Sequence, residues 1–207
     1  AIVSNGDIPL RFTADIHEAT YTRVAGNGFE ENDEVGLFAL VGSSTMKEER
    51  YADNLRFFRT SEKVFESSEP IYYPDDEVTL RLISYYPYQE EGVDMGESKM
   101  PVAVEADQNL STDYFCSDFL VASQNLQSAP KEAITLHYDH KFFKLKIALV
   151  GKEGEELQEI LDTDPKLSVC GFYSKAIYDF QKETYSAFSD EKSITPAGKW
   201  EIQGDRL

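Results

Sequence analysis

Hydrophobic and polar residues alternate along much of the chain, a period-two pattern typical of β-strands. The stretch "DIPLRFTADI" places five apolar side chains on one face: Ile8, Leu10, Phe12, Ala14 and Ile16. "EVGLFALVG" is apolar on both faces, as expected of a strand buried between layers. Similar runs are "EVTLRLISYY", "AITLHYDH", "FFKLKIALV", "KLSVCGFYS" and "KAIYDFQ". The pattern therefore predicts a mainly β protein.

Turn-forming residues separate these runs, and helical periodicity is rare. Stretches rich in Gly, Pro or acidic residues occur at 26–28, 73–77, 85–92 and 151–156. Leu157, Ile160 and Leu161 have helical spacing and predict one short helix; a second could begin within "LSTDYFCSDFLVAS". Many short strands with at most one or two short helices predict an antiparallel β-sandwich.

Two domain arrangements fit this pattern. We expect residues 1–150 to form one sandwich domain. The acidic, Gly-containing stretch after it marks a boundary, so residues 151–207 hold either the remaining strands of the same sandwich or the start of a truncated second domain.

Composition narrows the classes of function. The 207 residues are 41% hydrophobic and 13% aromatic, which is enough for a sizeable core, and the formal net charge is −18. Phosphate backbones and anionic lipid surfaces repel so acidic a chain, which argues against nucleic-acid binding. No apolar run approaches the roughly 18 residues that a membrane-spanning helix needs. Cys116 and Cys170 lie in apolar stretches and fit either one disulfide or two buried thiols.

The stretch "TLHYDHKFF" holds His137 and His140, which suggests a metal or catalytic site. On a strand, however, residues three apart point to opposite faces and cannot both bind one metal ion. We expect His140 to point inward, half-buried and hydrogen-bonded, beside an irregularity at 139–141. The chain has no nucleophile elbow, P-loop or H-E-x-x-H motif. The sequence therefore predicts no catalytic residues, no metal site and no cofactor.

Tyr85, Tyr86 and Tyr88 lie around a proline turn and leave two interpretations open. They could form an aromatic platform that stacks against a sugar. Aromatic residues at such turns more often pack against a core, and packing is the favoured interpretation.

An ordered set of motifs resembles the fimbrillin-like proteins, which are type V pilus subunits of Bacteroidales. The motifs, in order, are "IPLRFTADI", "TYTR", "GNGFEENDEVGLFAL", "IYYPDDEVTLRLISYYPY", "DYFCSDFLVAS" and "ITLHYDHKFFKLKI". The likeness extends from about residue 8 to residue 150. Two positions depart from the family pattern: Phe29 stands where Trp is usual, and Asn32-Asp33 replaces Gly-Asp.

The resemblance implies a fold, an assembly mechanism and a location. The fold is a transthyretin-like sandwich of Greek-key type, usually followed by a longer C-terminal half. Such subunits are exported as lipoproteins to the outer membrane and cleaved at an Arg after the first strand. Here that is the bond between Arg23 and Val24. Cleavage releases the strand that carries Ile8, Leu10, Phe12, Ala14 and Ile16, and a neighbouring subunit's strand fills the groove.

The sequence thus predicts a non-enzymatic fimbrial subunit or adhesin whose partners are other fimbrial subunits, with a host or bacterial surface ligand also possible. The main alternative is a carbohydrate-binding surface lipoprotein with a β-sandwich fold. A third alternative is a hydrolase that uses His140 with nearby acidic residues.

Overall fold

In the part of the chain that the structure describes, the strands form three sheets, and one of these closes on itself. The computed structural model describes residues 4–17, 28–74, 78–109 and 116–207, and every structural statement below concerns these residues. The strands are β1 Ser4–Pro9, β2 Phe12–Ile16, β3 Glu34–Val41, β4 Ala52–Arg59, β5 Val64–Ser67, β6 Tyr72–Pro74, β7 Leu80–Tyr86, β8 Lys99–Ala103, β9 Leu120–Leu126, β10 Ile134–His140, β11 Val169–Asp179 and β12 Thr184–Ile194. The described helix, α1, spans Leu157–Asp162.

The largest sheet is a closed, barrel-like ring in the order β10-β2-β5-β4-β3-β7-β9. The pair β2–β10 is parallel, and the other pairs in the ring are antiparallel. β1 pairs with β6, and β12, β11 and β8 form a three-stranded sheet. The mainly β prediction is confirmed, as is the short helix. The central strands form one mixed ring and not two clearly separate antiparallel layers, because β2 closes the ring by pairing with a strand more than a hundred residues later.

The chain divides into two compact units. Unit 1 comprises Ala1–Val102, Asp118–Phe142 and Ile177–Ser186, and unit 2 comprises Ala103–Ser117, Phe143–Ala176 and Ala187–Leu207. All strands of the closed ring belong to unit 1. The predicted domain division at residue 150 stays a prediction.

The core of unit 1 fills the ring. β3 is buried along most of its length, as the run of apolar residues on both faces predicts. Alternate residues of β10 point inward, with Leu136 1% and Tyr138 0% exposed. Large aromatic and aliphatic side chains complete this core: Phe12, Phe57, Phe65, Leu37, Leu82 and Leu120.

Unit 2 contains α1 and several segments outside regular structure. The indole Nε1 of Trp200 donates to the carbonyl of Pro165 at 2.6 Å, and Leu149 and Leu207 exchange two backbone hydrogen bonds. The strand predicted at "FFKLKIALV" is wrong for residues 143–150, to which the structure assigns none. Phe143, an apolar residue of this run, is 74% exposed. Alternation alone does not make a strand; a partner must complete the ladder.

The cysteines differ from both interpretations of the sequence. Cys116 and Cys170 do not form a disulfide in the structure, and both are exposed. An apolar stretch predicts burial only if the surrounding chain covers it, and in unit 2 Tyr173 and Phe188 are also exposed.

Candidate functional site

β2 is the element to which the sequence assigns a function, and it lies between two strands of the ring. Phe12 through Ile16 run parallel to β10, from Ile134 to Tyr138. On the other side, β2 pairs antiparallel with β5. After β2 ends, the backbone N–H of His17 donates to the carbonyl of Tyr138 at 2.9 Å. We use the term β2 slot for the space that β2 fills between β10 and β5.

The inward face of β2 contributes an aromatic side chain to the core. Phe12 is fully buried. Its ring stacks on that of Phe65, with centroids 5.2 Å apart and planes 9° apart, and lies 5.2 Å from the ring of Phe57. Burying a Phe side chain contributes about 2–3 kcal/mol from apolar area alone. Phe12 is therefore the main apolar anchor of β2.

The five residues predicted to share one apolar face all contact the core, but they are buried to different degrees. Leu10 and Phe12 are buried, and Ile8, Ala14 and Ile16 are partly buried against the core cluster. The structure divides their run into β1 and β2, with Leu10 and Arg11 outside both strands. Pro9 lacks a backbone N–H and ends β1, whereas the N–H of Leu10 donates to the carbonyl of Ile71 at 2.8 Å.

The outward face of β2 forms polar pairs with β10. Nδ1 of His17 lies 2.9 Å from a carboxylate oxygen of Asp139, and Nδ1 of His137 lies 3.5 Å from one of Asp15. The two imidazole rings stack, with centroids 5.3 Å apart and planes 13° apart. Each strand segment therefore contributes one histidine and one aspartate, and each histidine lies beside the aspartate of the other segment.

Two further pairs extend this outward row. The hydroxyl oxygens of Thr13 and Thr135 lie 2.9 Å apart. On the β5 side, the guanidinium of Arg11 lies 3.8 Å from the carboxylate of Glu66. Sequence reasoning missed the role of His17, although its parity with Thr13 and Asp15 already placed it on the outward face.

The predicted processing site, Arg23 and Val24, lies outside the described residues. It follows β2 in the sequence and precedes Gly28, where the description resumes.

His140 differs from its predicted position. The residue ends β10 and is exposed, so it does not point into the core as predicted, whereas its side chain beside Asp118 is 32% exposed, which agrees with the predicted half-burial. Its predicted hydrogen bond is present: Nδ1 lies 2.8 Å from a carboxylate oxygen of Asp118. In the described ranges, no three His, Cys, Asp or Glu side chains are placed to hold a metal ion. In the same ranges, no helix is long and apolar enough to cross a membrane.

The three tyrosines of the predicted sugar platform do not share an exposed surface. Tyr85 is fully buried, and its hydroxyl donates to the side-chain oxygen of Asn54 at 2.7 Å. Burial raises the pKa of Tyr85 above its ordinary value. Tyr86 meets the ring of Phe29 edge-on at 5.4 Å, and Tyr88 lies under the guanidinium of Arg56. Packing is the interpretation that this arrangement supports.

Comparison with known proteins adds family and fold. A family model described as fimbrillin-like matches residues 22–206. No curated protein matches the sequence. A candidate cell-adhesion protein from Bacteroides uniformis has a similar structure, with 17% identity, a TM-score of 0.59, and coverage of 96% of this chain and 72% of that chain. A second, from Bacteroides ovatus, has 13% identity, a TM-score of 0.58, and coverage of 96% and 76%. At these identities the likeness shows the fold alone.

Proposed function

The chain belongs to the fimbrillin-like family, and from that premise we propose that it is a structural or adhesive subunit of a cell-surface fimbria, a type V pilus, assembled by strand exchange. Cleavage between Arg23 and Val24 releases β1 and β2. A strand from a neighbouring subunit then fills the β2 slot. The observation that carries this proposal is the position of β2 in the closed ring, hydrogen-bonded to a neighbour on each side.

Loss of β2 would leave the ring open on both sides of the slot. On the side away from the slot, β10 pairs with β9 and β5 pairs with β4. Each strand would therefore have one unpaired edge, and that edge would face the slot. Unpaired strand edges are strong templates for another extended segment. An incoming strand would restore the backbone hydrogen bonds that β2 makes now.

The apolar face gives a second driving force. Removing β2 would withdraw Phe12 from between Phe57 and Phe65 and expose these rings to water. A Phe-sized vacancy in a core costs about 3–5 kcal/mol, which a strand with a matching apolar residue would recover. The empty slot would therefore favour assembly over a stable open monomer.

The family also supports a location and partners for this proposal. We propose that the precursor is exported to the outer membrane with a lipid anchor and that the mature chain contacts other fimbrial subunits on the cell surface. An adhesive role would add a host or bacterial surface ligand. The matched region begins at residue 22, next to Arg23, so β1 and β2, the strands proposed to leave, lie outside it.

The test is controlled cleavage followed by measurement of molar mass. We expect limited proteolysis after Arg23, verified by mass spectrometry, to convert monomer into oligomers on size exclusion with light scattering. The variant Arg23→Ala, under the same protease, should stay monomeric. A cleaved chain that loses β1 and β2 and persists as a folded monomer would refute the proposal.

A further inference from the structure

We propose that the β2 slot selects its incoming strand by polar pattern as well as by apolar pattern: a cation opposite Glu66, a hydroxyl opposite Thr135, a carboxylate beside His137, and an imidazole or cation beside Asp139. The inference rests on the proposed function, since it describes the partner strand that the same slot accepts. It commits to an amphipathic strand of a neighbouring subunit as the occupant.

The selecting groups lie on the slot's two walls and remain when β2 departs. Thr135, His137 and Asp139 are alternate residues of β10, so their side chains point to the same face at the period of a strand. Glu66 belongs to β5 on the opposite wall. β2 and its two flanking residues show what each group accepts, because Thr13, Asp15, His17 and Arg11 lie against Thr135, His137, Asp139 and Glu66 respectively.

The order of these groups along β10 encodes the register. A shift by one residue turns the apolar face of the strand outward. A shift by two residues toward the end of β10 would place Asp15 beside Asp139, and like charges directly opposite one another are destabilising. A shift by two in the other direction would leave Asp139 without its imidazole partner. The alternation of His137 and Asp139 therefore favours one register among those that keep the apolar face buried.

The solvent exposure of these polar pairs determines how much they contribute to the affinity of the incoming strand. The side chains of His17 and Asp139 are 60% and 57% exposed, and those of His137 and Asp15 are 53% and 63% exposed. Exposed pairs are screened by water and salt and alter affinity about two- to fivefold each. The buried apolar face therefore supplies most of the affinity, and the polar row supplies choice among apolar strands.

The test uses freshly cleaved chain, in which the bond after Arg23 is cut but the severed segment has not yet left the slot, and synthetic peptides that compete for the slot. The first peptide has the native sequence of residues 4–17. The second carries Arg11→Glu, Asp15→Lys and His17→Glu, with every apolar position unchanged. Occupancy at equilibrium is measured by native mass spectrometry in low salt. We expect the altered peptide to compete about tenfold less well, and the difference to shrink at high salt.

A charge exchange provides the matched control. A peptide with Arg11→Glu alone should compete poorly against the native chain and regain its affinity on a cleaved chain with Glu66→Lys. Equal competition by the native and altered peptides would overturn the polar selection while leaving strand exchange intact. Failure of the native peptide to enter the slot at any concentration would overturn both the selection and the proposed function.

Discussion

The hydroxyl of Tyr138 lies 2.6 Å from the hydroxyl of Ser84, which itself donates to the carbonyl of Gly36 at 2.9 Å. This buried chain of hydrogen bonds ties β10 to β7 and β3 across the interior of the ring. The carbonyl of Tyr138 also accepts the bond that ends β2. The wall of the β2 slot is thus held from inside by contacts that do not involve β2.

Removing this hydroxyl should weaken the barrel. Tyr138→Phe deletes one buried hydrogen bond and is expected to lower the free energy of unfolding by about 1 kcal/mol. Tyr73→Phe is the matched control, since Tyr73 is also buried and its hydroxyl has no hydrogen-bond partner within the described residues. That control should be neutral or stabilising. Urea unfolding of both variants measures the difference, and equal effects would contradict the role of the Tyr138 bond.

Truncation of the anchor of β2 should be far more costly. Phe12→Ala is expected to lower the free energy of unfolding by about 3–5 kcal/mol, because it removes a fully buried ring from between two others. Thr13→Ala alters the neighbouring, outward position and should cost less than about 1 kcal/mol. Denaturant midpoints at constant slope report both values. A loss at Phe12 as small as that at Thr13 would show that β2 is not anchored through the core.

The buried tyrosines predict loss of stability at high pH. Burial raises the pKa of Tyr73 to about 12 and also raises the pKa values of the buried or half-buried tyrosines Tyr85, Tyr138, Tyr178 and Tyr185. An unfolded tyrosine loses its proton near pH 10, so the unfolded state binds fewer protons above that pH. Stability from these groups is therefore complete below about pH 10 and falls as the pH rises further.

The variant Tyr73→Phe isolates the contribution of one such tyrosine to the pH dependence of stability, because the substitution leaves every other ionisable group unchanged. Between about pH 10 and 12, the variant should lose stability less steeply than the native chain, by up to about 1.4 kcal/mol per pH unit. Urea unfolding at intervals across this range gives the slopes. Parallel slopes would mean that Tyr73 does not stay protonated in the folded protein.

Arg50 is a buried cation that sequence reasoning did not single out. Its guanidinium donates to the carbonyls of Met46 at 2.9 Å, Val93 at 2.7 Å, Asp94 at 2.8 Å and Glu97 at 3.0 Å. Arg50→Lys keeps the charge but cannot reproduce this fan of donors, and should cost about 2–3 kcal/mol. Arg56→Lys, at an exposed ion pair with Glu34, should cost less than about 1 kcal/mol in the same unfolding assay. Equal losses of stability in the two variants would show that the hydrogen bonds of Arg50 to the four carbonyls do not stabilise the fold.

The sequence predicted two kinds of strand: those with one apolar and one polar face, and those with two apolar faces. The inward residues of β10 and the buried length of β3 follow from side-chain period alone. β4 was missed because two adjacent polar residues, Asp53 and Asn54, interrupt its apolar pattern, and Asn54 has a left-handed conformation, with φ of 49°. The side-chain nitrogen of Asn54 instead donates to the carbonyl of Gln89 at 2.8 Å, a contact between residues that no local pattern relates.

The candidate site was predictable on its apolar side only. Alternation places Phe12 inward, and the resemblance assigns the strand a role. The parallel pairing of β2 with β10 joins segments more than a hundred residues apart, so the meeting of His17 with Asp139 could not be read from spacing. His137 and His140 are close in sequence and suggest a pair, whereas in the structure His137 stacks on His17.

The most direct test of strand exchange is to lock β2 into its slot. Thr13 and Thr135 are paired across β2 and β10, with hydroxyl oxygens 2.9 Å apart, so Thr13→Cys with Thr135→Cys should allow a reversible disulfide. Cys116 and Cys170 are changed to Ser in all variants to prevent mispairing. The chain with Thr13→Cys alone is the control for the substitution itself.

The measurement is the molar mass of the locked chain after cleavage at Arg23, by light scattering with and without reductant. Strand exchange predicts a monomer while the disulfide holds β2 and oligomers once it is reduced, with the single-cysteine control forming oligomers in both conditions. Oligomers of the oxidised, fully cleaved chain, or a monomer that persists after reduction, would contradict the account.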